Sequence, residues 1–240
     1  MITKIINIIQ GNTQTIQLHN VTSESVRLGI LLAIVGGFLD AYTFIGRDGV
    51  FANAQTGNIV LVAAGAAAGN WRQALLSIPP ILAFIIGVIV AESLKKTSSF
   101  PFIKDSSRAV LIIEILVLFI IGFIPDTIPN LFATIAISFV SSLQISAFRK
   151  LVNSPYSTTM ATGNLRSASQ AAYIAFIKKD RAAAITSIRY FTIIFAFLFG
   201  AFLGGLITIS IGIKAIFVAV FILIFSLILF IIDEHRLTSA

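Results

Sequence analysis

Residues 190–209 read YFTIIFAFLFGAFLGGLITI, twenty consecutive positions without a charged side chain. A helix of about 20 apolar residues is long enough to cross the hydrocarbon core of a bilayer. The rest of the chain has the same character, because 57% of its 240 residues are hydrophobic and only 11% are charged. A soluble globular protein carries roughly 25% charged residues. The sequence therefore predicts an all-α polytopic membrane protein with the lipid bilayer as its main partner.

Eight apolar blocks are visible in the sequence, and they differ in length. Six are long enough for full crossings: Leu28–Gly46, Leu75–Ala91, Ala109–Pro125, Leu131–Phe148, Tyr190–Ile209 and Ala215–Ile232. The second contains Pro79 and Pro80 near its start, which a helix tolerates in its first turn but which would kink it if they lay deeper. Two shorter blocks, Ile59–Gly69 and Leu165–Ile177, are typical of re-entrant half-helices.

The basic residues help to choose between topologies. If both short blocks turn back, only Arg47, Arg72 and Lys214 lie in loops on one side, and the other loop cations lie on the opposite side. If all eight blocks cross, the two sides carry equal numbers. Because cytoplasmic loops are rich in Lys and Arg, we expect six full crossings plus two re-entrant half-helices, with both termini in the cytoplasm. The alternative is seven or eight crossings.

A short motif occurs twice in the chain. Ala54-Gln55-Thr56-Gly57-Asn58 recurs as Met160-Ala161-Thr162-Gly163-Asn164. Each copy follows a full span and a polar loop, and each precedes a short block, a basic loop and another long span. Since each half then has three crossings, an odd number, the second half enters the membrane inverted. Inverted repeats with broken helices are a recurring transporter design. We therefore predict two inverted, pseudo-symmetric repeats.

The predicted organisation has one membrane domain, residues 27–232, divided into repeat 1 (27–125) and repeat 2 (130–232). A cytoplasmic tail, residues 1–26, precedes it, and a tail of residues 233–240 follows it. The short turn Pro125–Asn130 joins the repeats. The expected location is the cell membrane, specifically a bacterial inner membrane.

Several residues of the two repeats together resemble a known family. They are Gly36-Gly37-Phe38-Leu39-Asp40-Ala41, Phe51 and Thr56-Gly57-Asn58 in the first half, and Gln144 and Thr158 to Leu165 in the second. The chain resembles the bacterial YoaK family of integral membrane proteins over roughly residues 27 to 232. These proteins are often labelled small-molecule permeases, so the resemblance implies a membrane location and a small-molecule solute. An asparagine often follows the glutamine in that family, where this chain has Ile145.

The chemistry of Thr56-Gly57-Asn58 and Thr162-Gly163-Asn164 allows two interpretations. Threonine is a favourable helix N-cap, and glycine lets a solute approach the backbone. A helix that begins inside the membrane directs free N–H groups and a partial positive charge to the midplane, which attracts an anion or a polar solute. The two motifs would then form a paired substrate site. In the other interpretation they only cap and lock a helix break.

Two carboxylates lie within the predicted spans. Asp40 precedes Arg47 by seven residues, about 10 Å of helix, and so lies inside the hydrocarbon. It could take a coupling proton or cation, or it could be held by Tyr42, by a backbone break or by Arg166. Glu114 is a second candidate for ion coupling. Because it follows Arg108 by only six residues, we expect it near the cytoplasmic interface or in an ion pair.

Two further polar residues are candidates for contact with substrate. Arg166 lies in the first turn of the second half-helix, where a cation opposes the helix dipole. It therefore needs Asp40, Glu114 or an anionic substrate as a partner. Gln144 is expected to hydrogen-bond to another helix or to contact the solute.

Several functions are not expected. The chain has no cysteine, and its two histidines, His19 and His235, lie outside the spans, so no catalytic residues, metal ligands or cofactors are predicted. The cations lie in short clusters between apolar blocks, which argues against nucleic acid as a partner.

The sequence therefore favours a permease or channel for a small polar or anionic solute, with ion coupling as an option. The alternative is a non-transporting membrane sensor subunit or assembly factor. The pairs Gly65/Gly69 and Gly200/Gly204 could support homo-oligomerisation, and internal packing explains their spacing equally well.

Overall fold

The computed structural model describes residues 25–96, 106–125, 127–152 and 154–238, with side chains except at 94–96, 106 and 233–238. Of the predicted N-terminal tail, residues 1–26, the first 24 residues lie outside the described part. Eight α-helices lie in the described part: α1 Val26–Gly46, α2 Gln55–Ala67, α3 Trp71–Lys96, α4 Ser106–Ile121, α5 Asn130–Ala147, α6 Ala161–Lys178, α7 Arg181–Ile211 and α8 Ile216–Thr238. A 3-10 turn, Gly212–Ala215, joins α7 to α8, and two short antiparallel strands, β1 (Lys150–Leu151) and β2 (Ser154–Pro155), follow α5.

Four stretches of the described chain are long and apolar enough to cross a membrane. They are Val26–Gly46, Trp71–Ser93, Asn130–Ala147 and Arg181–Ile232. The last of these contains both α7 and α8. Helix α4 is a shorter apolar helix of 16 residues. The chain is therefore mainly helical, as predicted from its apolar blocks.

Several helices begin before the apolar blocks that predict them. The largest difference is at α7, which begins at Arg181 instead of Tyr190, and α3 and α6 also begin earlier. Helix α3 begins at Trp71 instead of Leu75, so Pro79 and Pro80 lie inside the helix and not in its first turn. Helix α6 begins at Ala161 and has 18 residues, more than the block that its apolar residues alone indicate. In both cases polar helix-forming residues extend a helix that hydropathy marks as shorter.

The surface of the helices is apolar and the interior is partly polar. Leu198, Phe202 and Ile209 on α7 are between 61% and 74% exposed, and Ile89 on α3 is 60% exposed. Asp40, Asn58, Gln144 and Asn164 are, in contrast, buried. A soluble protein rarely exposes such large apolar patches, which are favourable where the surrounding solvent is lipid.

Each helix contact that involves the first four helices has a counterpart that involves the corresponding helices among the last four. Helix α1 packs against α7, and α3 packs against α5. Likewise α2 packs on α3 and α6 on α7, while α4 contacts α5 and α8 contacts α1. Two further contacts, α4 with α8 and α1 with α5, each join a helix of the first half to the corresponding helix of the second half.

Glycines allow two of these crossings to be very close. At the α1–α7 crossing, a Cβ atom on Gly200 would collide with the carbonyl oxygen of Ile34, and one on Gly204 would lie 2.5 Å from that of Phe38. At the α3–α5 crossing, a Cβ atom on Gly87 would lie 2.7 Å from the carbonyl oxygen of Phe139. Such small-residue contacts are typical of helices that associate in lipid. The Gly200/Gly204 face is therefore used inside the chain, and homo-oligomerisation stays a prediction.

Candidate functional site

Asp40 anchors the loop that joins α1 to α2. Its Oδ1 atom accepts hydrogen bonds from the backbone N–H groups of Asn53, at 2.7 Å, and Ala54, at 3.3 Å. The side-chain Nδ2 of Asn53 donates to the carbonyl oxygen of Gly36 at 3.0 Å. Asp40 therefore bonds to the backbone at the break between α1 and α2, which was one of its predicted partners. It does not bond to Tyr42 or Arg166, the other two.

Asn58 closes the same loop onto the first turn of α2. Its Oδ1 accepts from the N–H of Phe51 at 2.9 Å, and its Nδ2 donates to the carbonyl oxygen of Phe51 at 2.8 Å and to Gln55 Oε1 at 2.9 Å. The side chain is completely buried. Its amide therefore holds the loop in a fixed shape.

The predicted N-cap role of Thr56 is wrong. Helix α2 begins at Gln55 after Ala54, with no side-chain cap, and Thr56 is exposed in the first turn. The carbonyl oxygen of Ala54 accepts from the N–H groups of Gly57 and Asn58 at 2.8 and 3.2 Å. The helix starts two residues earlier than predicted because Asp40 holds the N–H of Ala54 and so fixes this residue at the helix start.

The second motif repeats the asparagine arrangement. Asn164 Oδ1 accepts from the N–H of Ser157 at 3.2 Å, and Nδ2 donates to the carbonyl oxygen of Ser157 at 2.6 Å. Asn164 and Ser157 are seven positions apart, as are Asn58 and Phe51. The two motifs therefore build the same loop-to-helix contact in each half.

Thr162 is not an N-cap either. Helix α6 begins at Ala161, and the Oγ of Ser157 accepts from the N–H groups of Thr159 and Met160 at 3.4 and 3.2 Å. A serine four residues before the helix therefore accepts from the last N–H groups of the loop, and Thr162 caps none of them. Thr162 and Gly163 are exposed.

The two loops meet at one position on α1. Asn53 of the first loop bonds to the carbonyl oxygen of Gly36. From the second loop, the Cγ2 of Thr159 lies 2.5 Å, and the carbonyl oxygen of Thr158 lies 3.4 Å, from where a Cβ atom on Gly36 would be. The motifs, which are far apart in sequence, are therefore neighbours across Gly36.

A second buried carboxyl group joins this region from α4. Oriented with its nitrogen towards Glu114, the Gln144 amide lies 2.9 Å from both carboxyl oxygens, and its oxygen accepts from the Thr158 hydroxyl at 3.1 Å. The opposite orientation would set the amide oxygen against the carboxyl oxygens, so the surroundings select this one. The predicted hydrogen bond from Gln144 to another helix is confirmed.

The predicted interfacial position of Glu114 is wrong, since its side chain is only 1% exposed. Gln144 on α5 supplies the hydrogen-bond partner that makes this burial tolerable. Glu92 is the carboxylate that does lie at an exposed helix end, where Arg149 contacts it at 3.2 Å.

The predicted ion pair of Arg166 with Asp40 or Glu114 is also wrong. Arg166 is exposed on α6 and bonds to no residue that the structure describes. Helix α6 packs on α7 through Ala168, whose carbonyl oxygen accepts from Ser187, and this packing turns Arg166 outward. Arg166 therefore lies apart from the buried polar residues.

The sequence interpretation missed four residues of the polar interior. Asn53, Thr158 and Thr159 flank the two motifs, so their proximity to Thr56 and Thr162 was the available signal. Arg47, expected in a loop, is completely buried. Its guanidinium donates to Tyr42 Oη at 3.1 and 2.9 Å and to Asn130 Oδ1 at 2.8 Å.

A surface cavity of about 320 Å³ lies away from both motifs. It is lined by Asp48, Arg72, Leu76 and residues 127–131. At its edge Arg72 contacts Asp48 at 3.5 Å. The region between the two loops is, in contrast, closely packed around Gly36. Within the described chain, no three His, Cys, Asp or Glu residues cluster as metal ligands.

The fold and the buried polar residues define a transmembrane protein of the helical class. The chain belongs to the family described as protein of unknown function (DUF1275), whose model matches residues 28–229. This match confirms the resemblance seen in the sequence.

The chain is similar to the UPF0700 transmembrane protein YoaK of Bacillus subtilis (strain 168). The two are 29% identical over 142 residues, which cover 57% of this chain and 62% of that protein, less than two thirds of its length. No solved structure matches the chain.

Proposed function

We propose that this protein is a permease or channel for a small polar or anionic solute. One observation carries the proposal: buried polar side chains lie on both sides of Gly36, where the two motif loops meet inside an apolar helix bundle. They are Asp40 and Asn53 on one side, and the Thr158–Thr159 segment with Gln144 and Glu114 on the other. Polar and ionisable groups inside a membrane are costly, and they typically mark a pathway for a solute or an ion.

The pairing of corresponding helices in the two halves, as expected for two inverted repeats, supports this proposal. The helix pairs of the first half map onto those of the second, and Asn58 and Asn164 make equivalent bonds to residues seven positions earlier. Transporters built from such repeats place their binding site where the broken helices of the two halves meet. Here the two loops meet at Gly36.

Contacts at the loop ends support six crossings with α2 and α6 as re-entrant helices. Asp48, just after α1, contacts Arg72 at the start of α3, and Gln73 donates to the carbonyl oxygen of Gly49 at 3.3 Å. Helix α2 therefore leaves and returns to one side. In the second half, Tyr190 on α7 donates to the carbonyl oxygen of Pro155 at 2.7 Å, which ties the segment before α6 to the helix after it. With an even number of crossings, both termini would lie on the same side of the membrane. The positive-inside rule then assigns that side to the cytoplasm.

The motif residues have different roles in this proposal. Asn58 and Asn164 hold the two loops in shape, because their amides are used by their own backbone neighbours. The solute would meet the first turns of α2 and α6 at Thr56-Gly57 and Thr162-Gly163, together with Gln144. Arg166 would attract an anion to the exposed face of α6. Asp40 and Glu114 are the candidates for ion coupling.

Water access to the loop junction tests the proposal without knowledge of the substrate. The natural chain has no cysteine, so Thr158→Cys would be the single target for small water-soluble thiol reagents. A permease must open the junction to each side in turn, so we expect labelling of Thr158→Cys in membranes from both faces. Ile137→Cys, in the apolar core, is the matched buried control and should stay unlabelled. Absence of labelling at position 158 from both faces would contradict transport through this junction.

The close packing around Gly36 favours a second candidate, a non-transporting membrane protein such as a sensor subunit or an assembly factor. A protein of that kind would keep the junction dry at all times. The same labelling experiment therefore separates the two functions, since only the permease needs position 158 to react.

A further inference from the structure

Three buried oxygen atoms at the loop junction have no hydrogen-bond partner among the residues that the structure describes. They are Asp40 Oδ2, Asn53 Oδ1 and Thr159 Oγ1. Each of the three side chains is at most 5% exposed. Buried polar atoms are nearly always paired, so three unpaired oxygens in one place need an explanation.

All three side chains lie against one turn of α1. The Nδ2 of Asn53 bonds to the carbonyl oxygen of Gly36, which leaves Oδ1 of the same amide free. The methyl group of Thr159 contacts Gly36 from the other loop. Asp40 lies four residues after Gly36, one turn further along the same face of the helix. The three side chains therefore come from α1, the first loop and the second loop, and they pack on the same turn of α1.

The carboxyl group of Asp40 has no positive partner in the described chain. The described ion pairs join Arg72 to Asp48 and Arg149 to Glu92. Arg47 is used by Tyr42 and Asn130. An ionised carboxylate that is buried without a compensating charge is strongly unfavourable, so a positive charge must neutralise it.

We infer that this junction binds one dehydrated monovalent cation of the size of Na⁺. Asp40 Oδ2 would supply the neutralising charge, and Asn53 Oδ1 and Thr159 Oγ1 would be neutral ligands. Hard cations prefer carboxylate, carbonyl and hydroxyl oxygens. The single carboxylate selects a single positive charge, because a divalent ion would leave one charge unbalanced in the membrane interior.

The bound ion would tie the two halves of the protein together. Asp40 and Asn53 belong to the first half, and Thr159 belongs to the loop before α6 in the second. Occupancy would then favour the closed junction seen in the structure. The use of this ion to drive transport rests on the proposed permease function, whereas the binding itself does not.

Binding can be measured on the purified full-length chain in detergent. NaCl would replace choline chloride at constant ionic strength, with the binding heat and the thermal midpoint of unfolding as readouts. We expect a saturable heat and a midpoint that rises with Na⁺, because a ligand that binds only the folded state stabilises it. Equal midpoints in the two salts, without a binding heat, would overturn the proposal.

Variants assign the effect to the junction. Thr159→Val keeps the side-chain shape but removes Oγ1, so it should weaken Na⁺ binding by about tenfold, while Thr159→Ser should retain it. Asp40→Asn should abolish the Na⁺ response, and the control Asp48→Asn, a half-buried carboxylate outside the junction, should leave it unchanged. If Asp40→Asn fails to fold, the Thr159→Val and Thr159→Ser pair still decides the question.

Two further outcomes separate the proposals. A midpoint that responds to pH but not to Na⁺, and that loses this response in Asp40→Asn, would mean that Asp40 carries a proton, and the cation site would be wrong. Na⁺ binding in a protein whose position 158 never reacts with thiol reagents would instead leave the cation site standing and refute the permease.

Discussion

Asn58→Ala removes the side chain that holds the first loop on α2. Two backbone groups of Phe51, its N–H and its carbonyl oxygen, lose partners at 2.9 and 2.8 Å. A buried polar group left unpaired costs about 1–3 kcal/mol. Because Phe51 is only half-buried, we expect a loss of about 2–4 kcal/mol in the free energy of unfolding, in the lower part of the range for two such groups. Asn164→Ala should lose a similar amount, since it frees the N–H and carbonyl oxygen of Ser157.

The assay is reversible unfolding in mixed micelles, followed by circular dichroism as the fraction of denaturing detergent rises. Asn70→Ala is the matched control, because the Oδ1 of this exposed residue accepts only from the N–H of Gln73, at 3.2 Å. Loss of an exposed cap of this kind costs about 0.5–1 kcal/mol. If Asn58→Ala is no more destabilising than Asn70→Ala, the asparagine does not hold the loop and the reasoning is refuted.

Three further predictions test the packing and the polar interior with the same unfolding assay. Gly200→Ala should lose about 3 kcal/mol because its methyl group has no space at the α1–α7 crossing, while Gly163→Ala, with open space, should be neutral. Gln144→Leu should cost about 1–3 kcal/mol by leaving Glu114 unpaired, and a second change, Glu114→Leu, should recover part of that loss. Arg166→Gln should change stability by less than about 0.5 kcal/mol, since the side chain is exposed and unpaired in the described chain; a larger loss would mean a hidden ion pair.

The positions of the long helices could be predicted from the sequence because the long apolar blocks have about the length that a bilayer requires. The block Leu28–Gly46 corresponds to α1 almost residue for residue. The start of α3 was missed because hydropathy excludes Arg72 and Gln73, although both are compatible with a helix. The length of helix α6 was underestimated for the same reason, since the charged residue Arg166 lies within its first turns.

The equivalence of the two motifs was also predictable, but the bonds that the motifs make were not. The repeated asparagine indicated that Asn58 and Asn164 have the same role. The capping role of Thr56 could not be checked without knowing that Asp40 holds the residue before the helix. Such contacts join segments that are distant in sequence, and no local pattern specifies them.

The interfacial position predicted for Glu114 was wrong for a related reason. Its separation from Arg108 by six residues suggests a shallow position when only one helix is considered. The partner that allows deep burial, Gln144, belongs to another helix. The meeting of Asn53 and Thr159 at Gly36 likewise depends on how the halves pack, which the sequence of either half alone does not contain.

The topology of the two ends of α2 tests the central claim most directly, because the paired motif loops require both short helices to turn back inside the membrane. Single cysteines at Asp48, Arg72 and Lys178, in the cysteine-free chain, would be treated in intact cells with an impermeant thiol reagent. We expect positions 48 and 72 to label from outside and position 178 to label only after the cells are opened. If positions 48 and 72 label from opposite sides, α2 crosses the membrane, and the inverted repeats and the shared loop junction are contradicted.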